Sequence, residues 1–384
     1  MHLIIASSEF TIRGRPHPGF PILLYDTMES VVEANQFLRY YLTRGAIGSE
    51  QSWISTGRAL YDYFGFLEAH DLLWSDVDRG EEKSLLAAYR DYCLKDINLA
   101  LNTVRQRLHY ICEFYDYSLR EGWVDRLPYS LEERVMQRRD KGFLAHVDNS
   151  GNQQAVRDVM PRSQKSLPRF LGKEQLLALL DATKNPHHRM MIRFALQTGL
   201  RREEIATFPL AYVFNPDARH GNGKNVMVTL DPHDGTGMKT KGSRQRDIWV
   251  SRRFMAQLYR YSVLRRGELG PRSSKPEHPL FLTQNGLPYA NHGKHIEVMV
   301  RRAAANVGIK SHPHMLRHTY ATHTLAALQR NRAAHTVEPL VFLQRQLGHQ
   351  RLSTTMIYLH LINELVEDAV LAYDDELNDW MDTV

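Results

Sequence analysis

His314-Met315-Leu316-Arg317-His318, then Leu347-Gly348-His349, then Tyr358, is the stretch whose reading decides this chain. Another arginine waits upstream in Thr198-Gly199-Leu200-Arg201. Arginine forks bind phosphate oxygens, histidines give hydrogen bonds or move protons, and a tyrosine hydroxyl can attack phosphorus. That inventory suits phosphodiester chemistry through a covalent protein intermediate. Singly, each piece also has a plain structural reading. Arg201 could be an exposed helix arginine, and His314 and Arg317, one helical turn apart on one face, a satisfied helix N-terminus or half of a metal site. Gly348-His349 could be a helix cap with a surface histidine, and Tyr358 a core residue among Met356, Ile357 and Leu359.

The surroundings bound the options. At 384 residues the chain is long enough for two domains. Its 43% hydrophobic and 24% charged residues are ordinary for a folded soluble protein. The formal net charge of +6 and pI of about 9.2 favour a polyanionic partner. After Arg351 there is no Lys or Arg, while Glu364, Glu367, Asp368, Asp374, Asp375, Glu376, Asp379 and Asp382 follow. The rest of the chain is therefore more basic than the total implies. Cys93 and Cys112, the two cysteines, sit in helical patterns and read as small core hydrophobes in a reducing compartment. No apolar run reaches the ~18 residues of a membrane span, and residues 1–10 do not read as an export signal. The expectation is a cytosolic protein, at the nucleoid if it binds DNA.

Periodicity organises the chain. Residues 1–27 carry short strand-like pieces broken by Gly14, Pro16, Pro18, Gly19 and Pro21, and read as an irregular or hairpin-like arm. From 28 to 128 apolar residues recur at helical spacing, as in Val104, Leu108, Ile111, Phe114 and Tyr115, predicting a compact module of four main helices. The polar, basic stretch 129–166, centred on Asp148-Asn149-Ser150-Gly151-Asn152, reads as a linker, either a solvated tether or a segment tracking phosphates. A second domain follows over 167–373, helical apart from two strands near Val226–Leu230 and Asp247–Val250, and an acidic tail closes 374–384. The fold class is mainly α with a small antiparallel β-sheet.

In combination the motifs say more. Thr198 through Glu204, a strand pair bearing Lys241, the His314–His318 motif, Leu347-Gly348-His349 and Tyr358 occur in that order, with nine residues from His349 to Tyr358. In these motifs the chain resembles the tyrosine recombinase (phage integrase) family, which shares its active site with type IB topoisomerases. The likeness covers roughly 167–373. A looser one, through Thr103–Leu108 and Glu121-Gly122-Trp123, likens the helical module to the family's SAM-like core-binding domain.

The resemblance implies a two-domain clamp on double-stranded DNA and a site-specific recombinase or integrase. Tyr358 would attack the phosphate, leaving a 3′-phosphotyrosyl bond and a 5′-hydroxyl, so that religation needs no ATP. Arg201 and Arg317 would neutralise the non-bridging oxygens, making a metal or other cofactor unnecessary; such preorganised donors contribute on the order of 3 kcal/mol each. Lys241, in Lys241-Gly242-Ser243-Arg244-Gln245-Arg246, would protonate the leaving oxygen, with Lys239 on the same face as the alternative. His314 and His349 would bond the phosphate or help shuttle the tyrosine proton, and Glu204 would orient the arginines. Arg105, Arg107, Arg138, Arg139, Lys141, Arg244 and Arg246 are candidate phosphate contacts, each also readable as ordinary solvated charge. Four protomers would synapse two sites through the segment after Tyr358, with DNA-bending accessory proteins as further partners and a mobile element as the setting.

Two segments depart from the family pattern: the long polar connection Leu230–Met238, expected as an extended or disordered hairpin, and Gln329–Pro339. The rival readings are a topoisomerase that relaxes DNA without exchange, a DNA-binding protein that has lost catalysis, and a zinc hydrolase built on His312, His314, His318 and His323. The hydrolase leaves Arg201, Lys241 and Tyr358 without a role and lacks the usual glutamate between its histidines.

Overall fold

The computed structural model describes residues 1–45, 50–135, 153–162, 167–218, 223–269, 279–330 and 338–364. The chain divides into two units, Met1–Lys165 and Ser166–Val384, each with its own apolar core. Among the described residues no helix is long and apolar enough to cross a membrane.

The first unit opens with two nested hairpins. β1 (His2–Ile5) pairs antiparallel with β4 (Pro21–Leu24), enclosing β2 (Thr11–Ile12) and β3 (Arg15–Pro16). Four helices follow: α1 (Val32–Thr43), α2 (Glu50–Ala69), α3 (Leu85–Asp91) and α4 (Leu101–Arg120), with a π turn at Tyr92–Asp96. α4 forms because Val104, Leu108, Ile111, Cys112 and Tyr115 make one apolar stripe, and all are buried. Ser84 starts α3 by accepting the Ala87 N–H. Both cysteines are free thiols within this core.

The opening 27 residues form hairpins, one of the two forms expected, and they pack on the helices. Phe20 and Leu23 are buried among the helices, and the Asn35 side chain of α1 pairs with the Leu23 peptide, accepting its N–H at 2.8 Å and donating to its carbonyl at 2.7 Å. The stretch expected as a linker likewise has packed ends. β5 (Leu131–Val135) pairs with β6 (Gln153–Arg157), Tyr129 and Val159 join the core, and Arg157 bridges to Glu113 at 3.0 Å and to Asp116. Buried aromatic area and paired charge hold segments that composition alone marks as loops.

The second unit runs through α5 (Lys173–Ala182), α6 (Pro186–Thr198) and α7 (Arg202–Thr207). The hairpin β7 (Asn225–Leu230) and β8 (Arg246–Ser251) follows, then α8 (Arg252–Leu264), α9 (Arg266–Leu269), α10 (Lys294–Ala305), α11 (Pro313–Arg330), α12 (Pro339–Leu347) and α13 (Leu352–Glu364). The hairpin alternates: Val228, Leu230, Ile248 and Val250 face the core, while paired Met227 and Trp249 face outward. α12 closes its open edge with a side chain. Buried Gln346 accepts the Trp249 N–H at 2.8 Å and donates to the Trp249 carbonyl at 3.1 Å. The connection between the strands is compact rather than loose, because Asp231 and Asp234 accept backbone N–H groups two residues on, and Met238 and Thr240 are buried. The departure expected at Gln329–Pro339 falls mostly on 331–337, outside the described residues.

Candidate active site

Two glycines make the turns on which the site rests. Gly199 ends α6 at φ +66 and Gly348 ends α12 at φ +65, both in the left-handed region. A Cβ on Gly199 would run into the Tyr320 ring and Leu347, and one on Gly348 would sit 2.7 Å from the Arg246 Cδ. The missing side chain at Gly348 leaves room for the Arg246 stem. Arg317, 1% exposed on α11, donates to the Gly199 carbonyl and to the Leu347 carbonyl, each at 2.6 Å. Arg201 donates to the Gly348 carbonyl at 3.4 Å. Segments nearly 150 residues apart in sequence are thus stitched together by the two guanidinium groups expected to hold phosphate.

Glu204 balances them. It is 1% exposed, accepts the Arg201 backbone N–H at 2.8 Å and its guanidinium at 3.0 Å, and takes a two-pronged contact from Arg246 at 2.8 and 2.7 Å. Burial by itself would raise this carboxyl's pKa. The hydrogen bonds and charge of Arg246, with the charges of Arg201 and Arg317, override it and hold the pKa at about 2. Arg317 moves down to about 9 through burial and the neighbouring Arg201, and remains protonated at neutral pH.

The imidazoles cluster against this positive charge. His314 and His318 stack edge to face one turn apart on α11, ring centroids 4.3 Å apart. His349, on the turn after α12, lies nearly parallel to the Tyr358 ring at 6.3 Å and bonds Thr355 Oγ1 through Nδ1 at 3.0 Å. Desolvation, then Arg317 and other neighbouring positive groups, push His314 to about 4 and His349 to about 3; desolvation, then His314 and Arg317, take His318 to about 3. All three are neutral at neutral pH.

Tyr358 sits on α13, 1% exposed, in a small core with Ala321, Leu325, Leu343, Leu347 and Leu361. It is thus a core residue at the position expected for the nucleophile. Its hydroxyl lies 2.9 Å from His318 Nδ1. Burial raises the hydroxyl's pKa, opposed by the charges of Arg317 and Arg201. Lys241 is exposed on the turn between β7 and β8, and its charge is among those felt at His314. Lys239 is also exposed, with Thr240 buried between them.

Several sequence expectations change here. Arg246, expected on DNA, gives both terminal nitrogens to the buried Glu204. Arg107 is likewise committed, to Asp62 and the Tyr89 hydroxyl. Arg105 gives one N–H to the Pro161 carbonyl and remains half-buried, while Arg244 is exposed. Arg138, Arg139 and Lys141 lie outside the described residues. The zinc reading finds no footing, since among the described residues no three His, Cys, Asp or Glu side chains are placed to hold a metal. His318 was legible only as that metal ligand; nothing in the linear spacing shows that it meets Tyr358.

The family model described as the phage integrase family matches residues 169–364, half of the chain. The chain belongs to the phage integrase family. Over 282 residues this integrase is 25% identical to the tyrosine recombinase XerC of Bacillus subtilis (strain 168), covering 72% of this chain and 75% of that protein. It is 22% identical over 350 residues to XerD of Rickettsia conorii, covering 88% and 97%. Its fold is similar to that of the XerH site-specific recombinase bound to difH substrate, with a TM-score of 0.55, 16% identity, and 88% and 94% coverage. A lambda integrase dimer bound to a COC′ core site gives a TM-score of 0.53 at 12% identity, with coverage of 85% and 94%. The integrase is a tyrosine-type site-specific recombinase, and DNA is its partner.

Proposed function

We propose that this recombinase cuts and rejoins DNA with Tyr358 as nucleophile, Arg201 and Arg317 as the phosphate clamp, and Lys241 as the acid for the leaving 5′-oxygen. Tyr358 Oη forms a bond to phosphorus as the bond to the 5′-oxygen breaks, leaving a 3′-phosphotyrosyl linkage whose energy is kept for religation. The arginines supply the charge neutralisation that a metal ion gives in other phosphoryl-transfer sites. His314 and His349, held neutral, offer hydrogen bonds to the phosphate without adding charge. Glu204 keeps Arg201 and Arg246 in register and touches no substrate.

What supports this reading is the convergence of Arg201, Arg317, His349 and Tyr358 on the Gly199 and Gly348 turns. DNA would be clamped between the two units, with Arg105, Arg138, Arg139, Lys141 and Arg244 on its phosphates. Four protomers would synapse two sites through the segment after Tyr358, with bending proteins assisting. The setting is a mobile element in the cytoplasm, at the nucleoid.

The test is adduct capture. Genomic DNA from the source cell is incubated with the protein in EDTA, denatured, and the DNA that stays attached is sequenced. Wild type should retain one recurrent junction and Tyr358→Phe none. An adduct that persists in Tyr358→Phe would remove the tyrosine from its role, and one that needs added metal would remove the arginine clamp.

A further inference from the structure

We propose that His318 is the group that receives the Tyr358 proton when the tyrosine attacks DNA. The inference rests on Tyr358 being the nucleophile. Of the three clustered imidazoles, His318 meets the hydroxyl, at 2.9 Å through Nδ1, with ring centroids 5.7 Å apart. His349 lies beside the tyrosine ring, but its Nδ1 is on Thr355. His314 packs on the His318 ring. Arg317, the preceding residue, is anchored to two backbone carbonyls, so the α11 backbone that carries His318 is fixed where the phosphate clamp is fixed.

A phenol is the better donor and an imidazole nitrogen the better acceptor, so the bond runs from Oη–H to Nδ1, leaving the His318 proton on Nε2. In the forward step the Oη–P bond forms as the O–H proton passes to Nδ1. The P–O5′ bond breaks, and the 5′-oxygen takes its proton from Lys241. Religation runs the same transfers backwards, with the imidazolium returning its proton to the departing tyrosine.

The groups facing His318 are His312, His314 and Arg317 from its own segment, Tyr358 from α13, and His349 from the turn after α12. Burial, with these neighbours, keeps the ring neutral at neutral pH, which is the form that can accept a proton. The same charges oppose a lasting imidazolium. A phosphodiester seated between Arg201 and Arg317 brings the negative charge that favours it. The base thus becomes effective when substrate is in place.

The test uses the full chain and a duplex carrying the junction recovered from wild-type adducts, with sulfur replacing the bridging 5′-oxygen. A thiolate leaves without an acid, so the cleavage rate reports activation of the nucleophile alone. His318→Ala should bind this duplex as wild type does and cut it about 100-fold or more slowly at pH 7. The deficit should shrink steadily as pH rises, because hydroxide progressively supplies the tyrosinate that His318 otherwise generates. His318→Gln, which fills the space and keeps a hydrogen bond but takes no proton, should show the same deficit and carries the test if the alanine variant melts early. Wild-type rates in either variant, or a deficit constant across pH, would overturn the proposal. An adduct in Tyr358→Phe would instead overturn the nucleophile assignment on which it rests.

Discussion

Arg201 and Arg317 each satisfy their charge with a different set of partners, and that difference sets what each mutation should do. Arg317 is enclosed and donates to two carbonyls, so Arg317→Lys loses both the fork and the stitch between α6 and α12. It should cut at least about 100-fold more slowly and melt lower, by adduct formation and thermal unfolding. Arg201→Lys should cost a similar factor in cutting with less loss of stability, since Arg201 is half-buried and Arg246 still pairs with Glu204. Acid should unfold the protein in a defined window. His314, His318 and His349 hold their pKa values at about 4, 3 and 3, below the ~6.5 of an unfolded chain. The unfolded state therefore binds more protons as pH falls below ~6.5, and stability declines through that range. Glu204 adds a second loss: its pKa of about 2 lies below its unfolded value of 4.5, so its contribution, on the order of 3 kcal/mol, is present above pH 4.5 and disappears towards pH 2. Urea midpoints measured from pH 7.5 to 3 should fall throughout, and Glu204→Gln should flatten the curve below about pH 4.5.

At the scale of elements, the β7–β8 hairpin carries Lys241, and α12 holds that hairpin through Gln346. Gln346→Leu keeps the volume but leaves the Trp249 N–H and carbonyl without their partner, at a cost of about 1–3 kcal/mol. It should also slow cleavage of ordinary DNA by loosening Lys241, and much of that loss should vanish on a substrate with a sulfur leaving group. A loss equal on both substrates would place the effect elsewhere. Gly199→Ala should be worse for stability than a typical surface change, because the turn needs positive φ and the methyl meets Tyr320.

Over the whole molecule, each of the two units, Met1–Lys165 and Ser166–Val384, has a main apolar core of its own. Thermal unfolding should therefore show two transitions, and Phe20→Ala should lower only the first unit's transition, because the opening hairpin is part of that core. DNA affinity should fall steeply with salt, as expected where lysines and arginines replace counterions. Removing the residues after 373 should weaken pairing of two sites more than binding to one; an equal loss of both would count against a docking role for that segment.

The sequence by itself determined the secondary structure class and the family, and it named most of the residues proposed for the site. Helical periodicity and strand alternation are local properties of side-chain spacing, and a nucleophile, two arginines and two histidines in fixed order are chemistry written along the chain. The packed ends of the expected arm and linker were not legible, since the burial of Phe20, Leu23, Tyr129 and Val159 depends on partners far along the chain. Which arginine is free was decided only in three dimensions. Arg246 and Arg107 look as basic as Arg244 in sequence, but Arg246 pairs with Glu204, a buried carboxylate that must be paired wherever the fold puts it, and Arg107 with the half-buried Asp62. The meeting of His318 with Tyr358 was decided the same way, by the packing of α13 against α11, which brings together side chains 40 residues apart.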